Sequence, residues 1–450
     1  MPKLRRNLGL IEATGLSLSV IAPTMAMAFN VTLAVGVAGV AAPLAFAIST
    51  VALVVVGLSF VAFARRVASA GSAFAYITLA FGPRAGFIAG WAMMLSYLAF
   101  GAGTAAMVGD FIDAATANYA LAVPKLWVAH GTLAILMAIL FAYRNMRLAG
   151  RLMLALETVS MLAIIVLGVI VLSVVGAKSG LSTAPFAPDK TFGWSGIGYA
   201  LVFAVLSFAG FEGAATLGEE AGNPNRAIPI AVLGTVGLAG LFYVFASYVQ
   251  VMGYGLANTE ALAHDSAPLN TLARKFGSRD FATALDLAAA MSALSCVVGC
   301  LSAAARMLFA LGRGGLAPSL GKATARHGTP GAAVLTMGAL MMAGALIWAP
   351  RIGASNYYGD VGTIGTIALI LVYLGVTSAA AVSAMRTRKP IWAAVGGLGT
   401  VILVWPLYNS IYPVPAYPGN LWPYVVIIYL AFGLALLALR PALRMPGIPA

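Results

Sequence analysis

The chain has 450 residues, of which 61% are hydrophobic and only 9% charged; a soluble domain carries roughly 25% charged residues, so a soluble globular protein is excluded and an integral membrane protein expected. Its formal net charge of +13 would point to nucleic acid in a soluble protein, but here the basic residues sort by membrane side. Gly accounts for 50 positions, above the usual ~7%, and small residues let helices pack closely or break within a bilayer.

Twelve apolar stretches are read, at about 10–35, 41–63, 85–108, 124–143, 150–175, 195–218, 228–254, 282–311, 331–349, 358–385, 390–408 and 422–440. Each has about the ~20 residues a crossing requires. With the N-terminus inside, only Lys125, Lys178, Lys190, Arg274, Lys275, Arg279 and Arg351 fall outside, which leaves 19 of the 26 Lys and Arg inside. Both termini are therefore expected to be cytoplasmic, and no nucleic-acid partner is expected.

In the first stretch, Lys3, Arg5 and Arg6 precede an apolar run ending in Ala26-Met27-Ala28, which could pass for a signal peptide and its cleavage site. Pro23 and Thr24 interrupt that run and favour a retained span. Pro23 removes a backbone donor and should break the helix near Ile21 to Thr24. Such a break presents N–H groups on one side and carbonyls on the other, able to hold a carboxylate and a cation; the alternative is a plain kink re-satisfied by Ser and Thr. The small-residue segment Ala64 to Trp91 either packs under a gate or makes a re-entrant turn. On the third span Tyr97 either faces a solute or packs, its hydroxyl wanting a partner. The fifth span holds Glu157, either a proton carrier or a carboxylate paired with a neighbouring helix.

The stretch Ala204 to Pro229, AVLSFAGFEGAATLGEEAGNPNRAIP, carries Gly210, Glu212 and Gly213 inside an apolar run. A carboxylate near a span's centre costs at least ~2.5 kcal/mol, and each glycine weakens the helix by ~1 kcal/mol, so this is read as a working helix, interrupted like the first. Glu212 either titrates or ties the broken helix to its neighbours. Beyond it, Glu219, Glu220 and Arg226 are expected to form a salt-linked corner, with Pro224 and Pro229 stopping one helix and starting the next. The polar outer segment Leu256 to Asp280 has no readable role. On the eighth span, Ser292 and Ser295 are sodium ligands or simple interhelical hydrogen bonders. Cys296 and Cys300 share a helix face and read as buried, reduced packing residues. Asp286 and Arg306 complete the ionisable groups within spans, and a salt bridge to Arg306 is an alternative role for any of the three acids. Tyr373 reads as packing, and the last two spans as scaffold or oligomer contact, the oligomeric state being open.

The pattern F-x-G-F-E-x-A-x-x-x-x-E-E-x-x-N-P-x-R-x-I-P in Ala204 to Pro229 resembles the sixth helix and following loop of the amino acid/polyamine/organocation permeases. Residues 64–91 resemble the family's P-x-S-A-G-G-x-Y-x-Y loop, with Val67 in place of proline and Phe74 in place of tyrosine. Residues 306–333 resemble its A-x-A-R-x-x-x-A-x-x-R-D-G-x-x-P segment, with Gly314 in place of Asp, followed by HGTP from His327. The resemblance implies an all-α integral membrane protein: one permease domain of 12 transmembrane helices with a LeuT-type 5+5 inverted repeat and broken helices 1 and 6. Repeat one would cover about 10–175, repeat two about 195–385, and two extra helices about 390–440.

The implied function is secondary active transport of amino acids across the cytoplasmic membrane by alternating access, as ion-coupled symport or exchange, with no cofactor and no enzyme activity. The substrate carboxylate would meet the backbone at Ile21, Ala22, Pro23, Thr24 and Met25, and its ammonium the carbonyls of Ser207, Phe208, Ala209 and Gly210, with Tyr97 alongside. Coupling or gating would fall to Glu157, Ser160 and Glu212. Ser160 stands near the position of a lysine in some proton-coupled relatives, and this span has no lysine. Three accounts therefore remain open: Na+ held by hydroxyls such as Ser292 and Ser295 with freed carbonyls, H+ carried by another group, or exchange without an ion. A polyamine or organic-cation importer is the same machine with a different pocket. A channel would need rings of like groups; a membrane enzyme would need a catalytic constellation, and none of the three His is spaced as H-E-x-x-H.

Overall fold

The computed structural model describes residues 9–64, 73–119, 126–144, 146–217, 221–324 and 328–440, and among these the regular structure is helical with no strand. In chain order the helices are α1 (Leu10–Ile21), α2 (Pro23–Ala38), α3 (Ala42–Ala64), α4 (Ala73–Phe81), α5 (Pro83–Ala117), α6 (Trp127–Arg144), α7 (Met146–Ser179), α8 (Gly193–Ser207) and α9 (Pro224–Tyr254). They continue as α10 (Thr259–Ala263), α11 (Pro268–Phe276), α12 (Arg279–Arg313), α13 (Gly331–Ile347), α14 (Ala349–Ile352), α15 (Ala354–Arg386), α16 (Pro390–Asn409) and α17 (Trp422–Leu439). Four 3-10 turns join them, of which Phe211–Leu217 matters most below.

Among the described residues, 11 stretches are long and apolar enough to cross a membrane. The first, Leu10–Ala64, is 55 residues long and contains α1, α2 and α3, so it takes in the first two apolar stretches read from the sequence. The other ten correspond one to one with the remaining stretches.

The centre of the bundle is built where these helices meet. α5 and α12 pack along one another, α15 lies against α5, and α3 runs along α9. Windows of α5, α8 and α12 are mostly buried, whereas α16 and α17 keep most of their surface outward, as suits apolar helices facing lipid. α17 is nevertheless fixed to α5: Trp91 Nε1 donates to the Tyr429 carbonyl at 3.0 Å, Tyr429 donates back to the Trp91 carbonyl at 3.1 Å, and the rings stack with centroids 5.0 Å apart.

At its start, α1 is capped by Glu12, which accepts from the Gly9 N–H at 2.8 Å and pairs with Arg151 Nε of α7 at 2.9 Å. The outer segment holds the short helices α10 and α11, resting on α2, α7, α9 and α12. Asp265 accepts from the Ala267 N–H at 2.7 Å and from the Tyr254 hydroxyl at 2.5 Å, and Asp286 accepts from Asn118 at 3.1 Å and from Asn270 of α11. Pro224 opens α9 as expected, but Pro229 lies inside that helix rather than at its start. Glu219, Glu220, Val67 and His327 lie outside the described residues.

Candidate functional site

The break expected at Pro23 is present. α1 ends at Ile21, α2 begins at Pro23, and Ala22 between them sits in the left-handed region at φ 46°, ψ 66°. An L-residue pays about 1–2 kcal/mol for that conformation, and the surroundings hold it there: the Ala22 N–H donates to the Leu18 carbonyl and the Ala26 N–H to the Ala22 carbonyl, both at 2.9 Å. Proline at the first position of α2 has no N–H to leave unsatisfied. The freed groups find partners on α12. Cys296 Sγ donates to the Val20 carbonyl at 3.1 Å, and the Met25 N–H donates to Ser292 Oγ at 3.1 Å. Ser292 thus makes an interhelical hydrogen bond between α12 and α2. Ile21, Ala22, Pro23, Thr24 and Met25 are all buried.

The second break follows Ser207. The Phe208 and Ala209 N–H groups turn back to Val205 and Leu206, and Gly210 adopts φ +104° before the chain tightens into the 3-10 helix. A Cβ on Gly210 would stand 2.0 Å from Val20 Cγ1. Glycine is therefore required both by the dihedral and by the approach of α1. The two breaks are joined through Ser17, whose hydroxyl donates to the Phe211 carbonyl at 2.8 Å and accepts from the Ala214 N–H at 2.9 Å. Three of the four carbonyls expected to receive a substrate ammonium already accept a hydrogen bond: Ser207 from the Tyr243 hydroxyl at 2.6 Å, Phe208 from the Phe211 N–H at 3.1 Å, and Gly210 from the Gly213 N–H at 2.8 Å.

Glu212, fully buried, lies between two tyrosines. Tyr97 donates to Oε1 at 2.7 Å and Tyr373 to Oε2 at 2.5 Å. The carboxylate therefore bridges α5, the 3-10 helix and α15. Tyr373, read from the sequence as packing, is a partner of the acid, and its ring also packs on Phe211 and Phe60. A tyrosine in the middle of an apolar span was the signal that could have found it, because a buried phenol seeks an acceptor.

Glu157 lies in a different environment. It is 0% exposed, and neither carboxylate oxygen has a hydrogen-bond partner; the hydroxyl of buried Thr24 also has none. Its polar neighbours are the Thr24 N–H and hydroxyl on α2 and the Ser292 hydroxyl on α12, each able to donate to the carboxylate. Among the described residues no cation faces it. Ser160 lies one turn further along α7 and Ser295 one turn beyond Ser292, both buried. Cys296 and Cys300 are free, buried and 3.7 Å apart at sulfur, as expected of reduced packing residues.

A further set of polar contacts, unread in the sequence, lies beside the two breaks. Asn30 Nδ2 donates to Ser207 Oγ at 2.8 Å, Tyr358 donates to Asn30 Oδ1 at 2.9 Å, and Gln250 Nε2 donates to the Met27 carbonyl at 2.8 Å. Amide side chains inside apolar spans are costly without partners, so Asn30 and Gln250 were the residues that could have signalled it.

Residues 15–417 match the family described as Amino acid permease. The branched-chain amino acid permease BcaP of Lactococcus lactis subsp. cremoris (strain MG1363) is 28% identical over 409 residues, covering 81% of this chain and 81% of the relative. The low-affinity putrescine importer PlaP of Escherichia coli (strain K12) is 27% identical over 359 residues, covering 76% and 74%. Cationic amino acid transporter 4 of Mus musculus is 27% identical over 361 residues, covering 76% and 55%.

Proposed function

Because the chain belongs to the amino acid permease family, a family of transporters and not of enzymes, we propose that it is a secondary active transporter of amino acids in the cytoplasmic membrane, working by alternating access. The observation that carries this reading is the junction of the two interrupted helices. α1 and the start of the 3-10 helix meet at the Ser17 hydroxyl and where Gly210 approaches Val20. A seam between two interrupted helices is able to part and re-form while the long helices around it stay whole, and interrupted helices at matching places in two halves mark transporter sites.

The finer architecture follows on the same reading. The second break comes five spans after the first, which supports a LeuT-type 5+5 repeat with α16 and α17 outside it. The 55 residues of Leu10–Ala64 are enough for two crossings at ~20 residues each, in favour of twelve in all. The excess of Lys and Arg on one side supports cytoplasmic termini. The solute would lie between the backbone at Ile21 to Met25 and the turn at Ser207 to Gly210, with Tyr97 below it. Glu212 acts as the gate, since freeing it from Tyr97 and Tyr373 separates α5, the 3-10 helix and α15. Coupling to H+ or Na+, or exchange without either, would involve Glu157, Ser160 and Glu212. A second reading, import of polyamines or other organic cations, is favoured by one observation, the unpaired carboxylate of Glu157.

The test is counterflow in proteoliposomes. Protein preloaded with unlabelled amino acid should take up the labelled form, saturably and chemically unchanged. Flux that neither saturates nor shows counterflow would refute a carrier. For Glu212, uptake by Glu212→Gln that tracks the wild type at every pH would remove its proton role.

A further inference from the structure

We propose that the pocket where the ends of α3, α15 and α16 meet binds an anionic phospholipid by its phosphate, a ligand distinct from the transported solute.

The pocket has a volume of about 230 Å3, and the turn that joins α15 to α16 builds it. The Lys389 N–H donates to the Ala384 carbonyl at 2.9 Å and the Arg388 N–H to the Met385 carbonyl at 3.1 Å. Arg388 sits at φ 52°, one of two non-glycine residues with positive φ among the described residues. Two such bonds around a left-handed residue end a helix sharply, and glycine usually takes the place that Arg388 holds here. The chain then passes directly into α16, with Lys389 as the residue before it and Pro390 at its first position. Lys389 and Trp392 thereby line the same pocket as Ser383 and Thr387 of α15 and Ser59 of α3.

Three features point to an anion. Lys389 is the one cation lining the pocket among the described residues, and no carboxylate lines it. The first N–H groups of α16 lack an intrahelical partner and no side chain caps that end; such a helix start attracts phosphate. Ser59 is 1% exposed and lines the pocket, yet its hydroxyl has no hydrogen-bond partner. A hydroxyl inside a helix is able to bond the carbonyl one turn back, as Thr50 of α3 does to Phe46 at 2.8 Å. Ser59 does not, and so offers a donor that an acceptor in the pocket would satisfy. Lys389 at the end of α15 would also complement the partial negative charge of that helix end, but this role leaves Ser59 unanswered.

The rest of the lining decides what carries the anion. Phe63 of α3 and Ala380 and Ala384 of α15 give the pocket an apolar wall. Met385 and Ile391, on either side of the turn, are 61% and 76% exposed, a surface suited to hydrocarbon. Free phosphate would leave that wall uncovered, and a fatty chain alone would leave Ser59 and Lys389 without an acceptor. A phospholipid answers both, and it reaches the ends of three spans from the bilayer itself. Arg386, Arg388 and Lys389 put three positive charges in one short stretch, although Arg386 turns away to the Ala80 carbonyl of α4 at 3.3 Å. That excess disfavours a headgroup with its own ammonium, and basic pockets between spans bind anionic headgroups.

The probes are dilauroyl phosphatidylglycerol, dilauroyl phosphatidylcholine and glycerol 3-phosphate, titrated into the purified, delipidated full-length protein and followed by native mass spectrometry. Phosphatidylglycerol should bind at least about 5-fold more tightly than phosphatidylcholine, and Lys389→Gln should remove most of that preference, the effect of about one lysine at an anionic surface. Arg388→Gly takes away a neighbouring charge outside the pocket and keeps the left-handed turn, so it should change the preference much less. Ser59→Leu fills the pocket, touches no charge, and should weaken phosphatidylglycerol as much as Lys389→Gln does. Equal losses in Arg388→Gly and Lys389→Gln would mean general attraction to a basic surface and overturn the proposal. Unchanged binding in a folded Ser59→Leu would overturn it too; should that variant fail to fold, the comparison of Lys389→Gln with Arg388→Gly decides. Glycerol 3-phosphate binding as tightly as the lipid would replace the phospholipid with a free phosphate ester, and equal binding of the two lipids would remove the anion site.

Discussion

The hydroxyl of Ser17 donates to the carbonyl of Phe211, 194 positions away, at 2.8 Å, and the same oxygen accepts from the Ala214 N–H at 2.9 Å. One small side chain on α1 thereby bridges the first turn of the 3-10 helix, from the Phe211 carbonyl to the Ala214 N–H. Interrupting a helix inside a bilayer leaves such groups without water, and here the other broken helix supplies the partner.

Ser17→Ala should therefore cost more than a surface substitution. It removes two buried hydrogen bonds between α1 and the 3-10 helix, at about 0.5–1.5 kcal/mol each. The expected result is a lower apparent melting temperature in detergent and slower counterflow. Ser17→Thr, which keeps the hydroxyl, should retain more of both than alanine does. Equal melting temperatures for the alanine variant and the wild type would show that the two breaks do not depend on this bond.

Ala22 offers a substitution in the opposite direction. Its left-handed backbone costs about 1–2 kcal/mol for an L-residue, and glycine removes that cost while adding ~0.5–1 kcal/mol of chain entropy. Ala22→Gly should be neutral to mildly stabilising, and Ala22→Val, with branching at Cβ, clearly destabilising. Thermal unfolding of the two variants side by side checks the sign. If valine proves as stable as glycine, the left-handed conformation at Ala22 does not exist in the membrane protein.

Tyr97 and Tyr373 donate to different oxygens of Glu212, so their contributions should separate. Removing either hydroxyl takes away a hydrogen bond to a charged or strongly polar acceptor, worth about 1.5–3 kcal/mol. Tyr97→Phe and Tyr373→Phe should each lower stability in the wild type and much less in a Glu212→Leu background, where no acceptor remains. A double-mutant cycle on melting temperature measures that coupling. Because the carboxylate joins three elements, the same variants should also leak: passive efflux of preloaded solute should rise when one tyrosine is lost.

The contrast between the breaks and their partners explains what could be read from the chain alone. Pro23 lacks an N–H and Gly210 lacks a Cβ; each acts on its own backbone, so both interruptions were visible as local patterns. The Glu212 clamp was half visible. The acid was conspicuous in an apolar run, but Tyr373 lies 161 positions away and nothing local ties the two. The chain of Asn30, Ser207 and Tyr358 spans three helices and depends on how they dock. For Glu157 the sequence offered pairing or proton transfer, and that its polar neighbours are Thr24 of α2 and Ser292 of α12 is a property of packing that no spacing of residues encodes. Ser292 has two candidate roles because a hydroxyl serves a metal or a backbone N–H equally well, and its bond to the Met25 N–H depends on how α12 docks against α2.

Gly210 gives the sharpest prediction, since two independent constraints act at one atom. A Cβ there would lie 2.0 Å from Val20 Cγ1 and 2.6 Å from Val20 Cβ, and φ of +104° is a region where side chains other than glycine's are strained whatever the space. Overpacking of a tight core costs about 1–3 kcal/mol, and an unfavourable backbone region about 1–3 kcal/mol more. Gly210→Ala should therefore abolish transport or folding outright. Val20→Ala should recover only part of the loss, because trimming the valine removes the contact with Cγ1 but leaves its Cβ, and the dihedral does not change. The double variant should sit between Gly210→Ala and the wild type in both melting temperature and counterflow rate. Full recovery would mean that space alone governs the position and that the left-handed turn after Ser207 relaxes freely. No recovery at all would mean that the dihedral decides, and that α1 docks against the second break by shape only after that turn has formed.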